Sequence, residues 1–300
     1  MPKHSPMRFS MLLLVFLSGL FLTEKSFALP NNNRVNDTTD TKLKILSWNI
    51  YMLPKIVVRK GKEERALAIV EQIKNNDFDV IVFQEAFLPK ARKIIGEGLA
   101  TLYPYAYGPA NNSKNIKTNS GVWVISKMPL KQLETIQFKN CTGFDCFARK
   151  GAIMLEGEWE GKPFQVLGTH LQADQFTEIR EKQMDQIYLE LLNRYKRDDV
   201  PQIICGDLNT ETDIKEHYCA MLDCLNAENG DISGIEKCTY DGVNNPIAQS
   251  YGAKSKTTYD YILVRKNGSA MSSIKRFVSV LKKGKKHLSD HYGVVCELKF

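Results

Sequence analysis

The feature that most constrains this chain is a series of short apolar runs, each closed by acids, amides or histidines. Leu43-Lys-Ile-Leu-Ser-Trp-Asn-Ile50, Phe78-Asp-Val-Ile-Val-Phe83, Gly121-Val-Trp-Val-Ile-Ser126 and Gln202-Ile-Ile-Cys205 are β-type runs, continuous enough in apolar character to be buried strands. Others arrive as neighbours. The runs Leu133 to Phe138, Ala152 to Trp159 and Phe164 to Gly168 follow one another, the last two joined by a Glu160-Gly161-Lys162 hairpin turn. Tyr261 to Val264, Phe277 to Leu281 and Gly293 to Cys296 close the chain as further strands. Helices come singly between them. The i, i+3, i+4, i+7 spacing of Ala66, Ile69, Val70 and Ile73 predicts one, Ala91, Ile94, Ile95, Leu99 and Leu102 a second, and Met184, Ile187, Tyr188, Leu191 and Tyr195 a third. Pro104, Gly108 and Pro109 make Tyr103 to Ser120 a long loop. Paired strands with single helices predict an α/β sandwich, two packed and mostly antiparallel β-sheets flanked by helices in four layers, in preference to a doubly wound sheet.

Residues 1–28 stand outside this pattern. Lys3 and Arg8 precede an apolar run from Met11 to Leu22, and Ser26-Phe27-Ala28 supplies a small-residue cleavage site, the layout of a signal peptide. The expectation is a secreted, soluble protein starting near Leu29, with residues 29–41 a flexible lead-in and 42–300 a single catalytic domain. Without the leader the formal charge falls from +7 to +5. Much of the excess lies between Lys254 and Lys286, where ten Lys and Arg face only Asp260. Such a stretch attracts anionic lipid or nucleic acid, or else serves as a solvated face. All seven cysteines follow the leader, so in an oxidising compartment at least one is unpaired. Cys205 and Cys296 lie in apolar runs as buried thiols, Cys141 and Cys146 flank a turn across which they could pair, and Cys219, Cys224 and Cys238 could supply a second pair.

Polar residues fall at one kind of place. Asn49, Gln84-Glu85, Thr169-His170 and Asp207-Leu208-Asn209 follow buried runs, while Asp260 and Ser289-Asp290-His291 immediately precede them. Charge buried at strand ends is costly unless it converges on a metal or a partner charge. Oxygen donors such as Glu85 with Asn49 suit Mg²⁺, and only two histidines join the set, which argues against catalytic zinc. Asp290 next to His291, with Asp260 to orient the ring, supplies a general base for water. The chain has no phosphate-binding Gly-x-x-x-x-Gly-Lys loop and no Gly-x-Ser-x-Gly nucleophile motif.

Taken in order, Trp48-Asn49, Gln84-Glu85, Gly168-Thr169-His170, Gly206-Asp207-Leu208-Asn209, Asp260-Tyr261 and Ser289-Asp290-His291 resemble the signature of the endonuclease/exonuclease/phosphatase superfamily. Asn49-Ile-Tyr-Met-Leu-Pro54, Gln84-Glu85-Ala86-Phe87, Tyr103-Pro104-Tyr105, Gly121 to Lys127, Gly143-Phe144-Asp145 and His170-Leu171-Gln172 are similar to the bacterial neutral sphingomyelinases C. The resemblance implies a DNase I-like fold and hydrolysis of sphingomyelin, at a bilayer surface, to ceramide and phosphocholine. It implies Mg²⁺, replaceable by cations such as Mn²⁺ or Co²⁺, held by Glu85 and Asn49, with Asp290 binding through water. It further implies His291 as base oriented by Asp260, Asp207 and Asn209 positioning phosphate and water, and His170 stabilising phosphoryl charge. Tyr51, Phe87, Tyr105 and Trp123 are the aromatic candidates for the choline ammonium, Trp123 equally a core residue. A secreted nuclease of the same superfamily, using the basic segment, is the alternative.

The chain departs from that family twice. Members carry an aromatic membrane-penetrating hairpin before the final Ser-Asp-His, where this chain has Lys282-Lys283-Gly284-Lys285-Lys286. Members also pair the cysteine equivalent to Cys141 with one soon after His-x-Gln, whereas residues 173–183 contain none, so Cys141 pairs elsewhere, with Cys146 for instance, or stays free.

Overall fold

Alternation along each buried strand explains how the sequence makes four layers. The computed structural model describes residues 42–54, 61–111, 118–267, 271 and 273–300. The expected leader and lead-in, and part of the 103–120 loop, lie outside these residues. In the strand Val80–Gln84, Val80 and Val82 face the second sheet while Ile81 and Phe83 face the helices. Leu43 and Ile45 against Leu46 and Trp48, and Ile203 and Cys205 against Ile204, divide in the same way. Continuous apolar runs are therefore what a strand needs when both of its faces are covered.

Seven strands form the first sheet in the order Ile232–Ser233, Ser273–Ser279, Gly293–Lys299, Leu43–Asn49, Val80–Gln84, Trp123–Ser126 and Tyr105–Tyr107. Six form the second, in the order Lys131–Gln137, Gly151–Trp159, Lys162–His170, Gln202–Asp207, Asp260–Arg265 and Ala227–Glu228. Most neighbours are antiparallel. The exceptions are Leu43–Asn49 with Val80–Gln84, Lys162–His170 with Gln202–Asp207, and Ile232–Ser233 with Ser273–Ser279. Helices Lys62–Lys74 and Pro89–Leu99 cover the first sheet, and Thr177–Ile187 and Lys215–Cys224 the second. The expected sandwich is the observed one.

Details differ where tertiary pairing overrides local signal. The 103–120 loop contains the edge strand Tyr105–Tyr107, paired with Trp123–Ser126. The third helix ends at Ile187 and continues as a π turn through Leu192. The hairpin turn is as expected, with Glu160 (φ 52°) and Gly161 (φ 78°) between the paired residues Trp159 and Lys162. Cys141 and Cys146 form a disulfide, Cys205 and Cys296 are buried thiols, and Cys219, Cys224 and Cys238 are all free. The basic segment does not form one face. Arg265 and Arg276 point inward to the Leu192 and Ile262 carbonyls, and Lys256 and Lys283 pair with Asp241 and Glu71.

Candidate active site

Strand register gathers the polar strand ends at one rim of the sandwich. Asn49 lies beside Gln84 on parallel strands, so Glu85 follows directly. Ser47 lies opposite Val294, which brings Ser289 to His291, just before that strand, to the same rim. In the other sheet Asp207 lies between His170 on a parallel neighbour and Asp260 on an antiparallel one. Tyr51, Glu85 and Asn209 have positive φ (51°, 54° and 49°), unfavourable for non-glycine residues. These turns bend the chain sharply at three strand exits.

Asp207 is the hub. Its Oδ2 accepts from Asn49 Nδ2 at 3.0 Å and lies 3.5 Å from His170 Nε2, and its Oδ1 accepts from the Asn209 amide at 3.1 Å. His291 Nδ1 lies 2.8 Å from Asp260 Oδ2 and 3.9 Å from Asp207 Oδ2. Burial pushes the His291 pKa down, but Asp260, Asp207 and Asp290 outweigh it and hold the pKa well above the usual histidine range. Asp260 rises to about 6, through burial and the charge of Asp207, against the pull of His291. The carbonyl of His291 accepts from Trp48 Nε1 at 3.1 Å, and Tyr240 packs edge-on against its ring at 4.9 Å.

Glu85 shows the strongest sign of a missing partner. Its Oε2 is buried and accepts no hydrogen bond, and burial, then the charge of Asp290, pushes its pKa to about 8. A carboxylate held like this fits a divalent cation, which would neutralise it and which oxygen donors favour. Asp207, Asp260 and His291 also have ligand atoms within 4.8 Å of one another. Within that trio His291 and Asp260 already share a hydrogen bond, which leaves Glu85 with neighbouring Asn49 as the oxygen donors that could seat an ion. Asp290 is buried beside them with its pKa raised by burial, and its neighbour Ser289 Oγ donates to the Asn49 carbonyl at 2.6 Å.

Two cations escaped the sequence reading. Lys150 is buried, with Nζ 2.8 Å from Asp145 Oδ2, 2.9 Å from the Leu171 carbonyl and 3.1 Å from His170 Nε2. The ammonium donates to that ring nitrogen, and burial, then Lys150 and His291, lowers the His170 pKa well below the usual range, so His170 is neutral. Arg65 reaches from the first helix to the Leu288 carbonyl at 2.8 Å, and its charge opposes those of Asp290 and Glu85. In sequence each merely borders an apolar run, as surface basic residues commonly do, so neither stood out.

Of the aromatic candidates, Tyr51 sits two residues beyond Asn49, its hydroxyl bonded to that of Tyr251 and its ring under Arg65 at 5.0 Å. Phe87 packs against Gly121 beside Glu85. Tyr105 is not at the site. It pairs with Ser126, which pairs with Val80, about 13 Å along the strand from Gln84. Trp123 stacks on Phe83 at 5.3 Å in the core.

Residues 46–291 match the Endonuclease/Exonuclease/phosphatase family. The chain belongs to this family. It is 33% identical over 254 residues to sphingomyelinase C 2 of Leptospira interrogans, covering 77% of this chain and 40% of that protein. Thus it spans less than half of that relative's length. Phospholipase C of Staphylococcus aureus is 30% identical over 251 residues, covering 76% of this chain and 75% of that protein. A beta toxin variant from Staphylococcus aureus, solved with bound magnesium ions, superposes with a TM-score of 0.77 at 26% identity, covering 87% of this chain and all of that one (100%).

Proposed function

We propose that the chain is an exported, Mg²⁺-dependent phosphodiesterase that hydrolyses sphingomyelin to ceramide and phosphocholine. One observation carries the reading: the buried Oε2 of Glu85, which accepts no hydrogen bond, shares a rim with a histidine whose ring is bonded to a buried aspartate. The names of its relatives support the substrate.

In this reading His291, its Nδ1 engaged by Asp260, takes a proton from the attacking water at Nε2. The new P–O bond forms as the bond to the ceramide oxygen breaks, and that oxygen leaves with a proton. Asn209, whose Nδ2 donates to the Leu171 carbonyl at 3.1 Å, and Asp207 position the phosphate and water. Neutral His170, with Lys150 behind it, faces the negative phosphoryl oxygens. Glu85, Asn49 and, through water, Asp290 would hold Mg²⁺, which supplies positive charge beside a phosphoryl oxygen. Tyr51 and Phe87 remain for the choline group.

The deciding assay pairs two substrates. Purified protein should release phosphocholine from sphingomyelin vesicles with Mg²⁺, stop with EDTA, and leave plasmid DNA intact. Cleavage of the DNA with sphingomyelin untouched would replace this reading with the nuclease.

A further inference from the structure

We infer that the chain docks on a lipid bilayer through exposed apolar side chains on both flanks of the site, led by the disulfide-closed turn Cys141–Cys146. This rests on the membrane-lipid reading above and names the surface that serves it.

Phe144 is 92% exposed and Phe147 is 65% exposed, two aromatic side chains presented to solvent by one short helical turn, Gly143–Phe147. Their turn is rigid. The disulfide closes it, Thr142 exchanges hydrogen bonds with the Gln172 amide at 3.0 and 3.2 Å, and Asp145 turns inward to the Ala173 amide and Lys150 Nζ, both at 2.8 Å. With Asp145 engaged inside, Phe144 and Phe147 remain outside. Lys150 then ties the turn to His170 at 3.1 Å.

The opposite flank has the same design. Asn245 Nδ2 bonds to the Ser289 and Asp290 carbonyls at 2.9 and 3.0 Å, anchoring a segment whose Val243 and Tyr251 are 53% and 52% exposed. Tyr251 meets the hydroxyl of Tyr51, two residues past Asn49. Asp207 lies between the flanks, touching Asn49 on one side and His170 on the other. Apolar groups projecting on both sides of the reacting groups suit a planar interface better than a peptide, which needs a groove. Aromatic side chains favour that interface, and a rigid turn loses little freedom on entering it. The basic hairpin Lys282 to His287 presents no aromatic side chain that could do this, since His287 is buried.

The test is flotation with phosphatidylcholine–sphingomyelin vesicles in EDTA, beside turnover of the soluble diester p-nitrophenylphosphorylcholine with Mg²⁺. The Phe144→Ser/Phe147→Ser double variant should bind vesicles about tenfold more weakly or worse. It should turn over the soluble diester like the parent, and Leu189→Ser, equally exposed on a helix of the second sheet, should bind vesicles normally. Unchanged vesicle affinity in the double variant, absent binding by the parent, or loss of soluble turnover along with binding would each overturn the docking surface. Weakened flotation with no diester turnover by the parent would uphold the surface and sink the phosphodiesterase reading instead.

Discussion

Asp260 Oδ2 and His291 Nδ1 are 2.8 Å apart and both buried, so the carboxylate fixes which ring nitrogen faces the site. Asp260→Asn keeps the shape but removes the charge. The variant should lose about 10²- to 10⁴-fold in kcat. Because Asp260 helps hold the His291 proton against burial, the acid limb of kcat/KM should also move to lower pH. Steady-state rates across pH decide this. A drop in rate with an unmoved acid limb would mean that Asp260 serves structure alone.

Glu85 predicts how metal and pH are linked. Burial and Asp290 raise its pKa from 4.5 to about 8, so the folded protein holds this proton more tightly than the unfolded chain does. The sign follows: metal-free protein has this contribution in full below pH 4.5 and loses it as pH rises through about 8. Mg²⁺ must displace the same proton, so its affinity should rise up to about tenfold per pH unit over that window. Thermal melts with EDTA and with Mg²⁺ would measure both trends, and Glu85→Gln should abolish them. A magnesium-induced shift that ignores pH would remove Glu85 as the ligand.

Lys150 joins Asp145 and His170 with almost no solvent to screen the contacts. Lys150→Met strands the inward-facing Asp145 and should cost about 3 kcal/mol of stability by denaturant melts. Adding Asp145→Asn should restore part of that loss, while activity should stay low in both because His170 has lost its ammonium neighbour. Equal instability in the single and double variants would mean the pair is not the source.

The strands were legible because a sheet covered on both faces writes an uninterrupted apolar run, as Val80 to Phe83 does. The rim was legible because acids, amides and histidines ended or preceded such runs in a recognisable order. Lys150 was not, since beside Arg149 and before Gly151 it reads as a surface residue, and only the fold brings His170 to it. Tyr105 was a candidate for its aromatic ring alone, and only strand register shows that it pairs with Ser126, away from the Gln84 end of the neighbouring strand. Charge counting likewise missed that Arg265 and Arg276 lie buried on strands with their guanidinium groups on backbone carbonyls.

Gly121 shows how tightly the backbone around Glu85 is packed. Its φ is 73°, and a Cβ there would lie 2.9 Å from the Phe87 ring and 3.1 Å from Glu85 Cα, while its carbonyl accepts from the Ala86 amide at 2.9 Å. Gly121→Ala therefore adds a clash with the segment that carries Glu85 to a backbone cost of about 1 kcal/mol. Gly161 provides the control, since it has a similar φ of 78° and nothing within 4 Å of a new Cβ. Both alanine variants should lower the denaturant midpoint, Gly121→Ala by more. Only Gly121→Ala should weaken Mg²⁺ binding in a calorimetric titration, because only there does the added methyl press on Glu85. Equal magnesium affinities in the two variants would show that the cation is held away from Glu85.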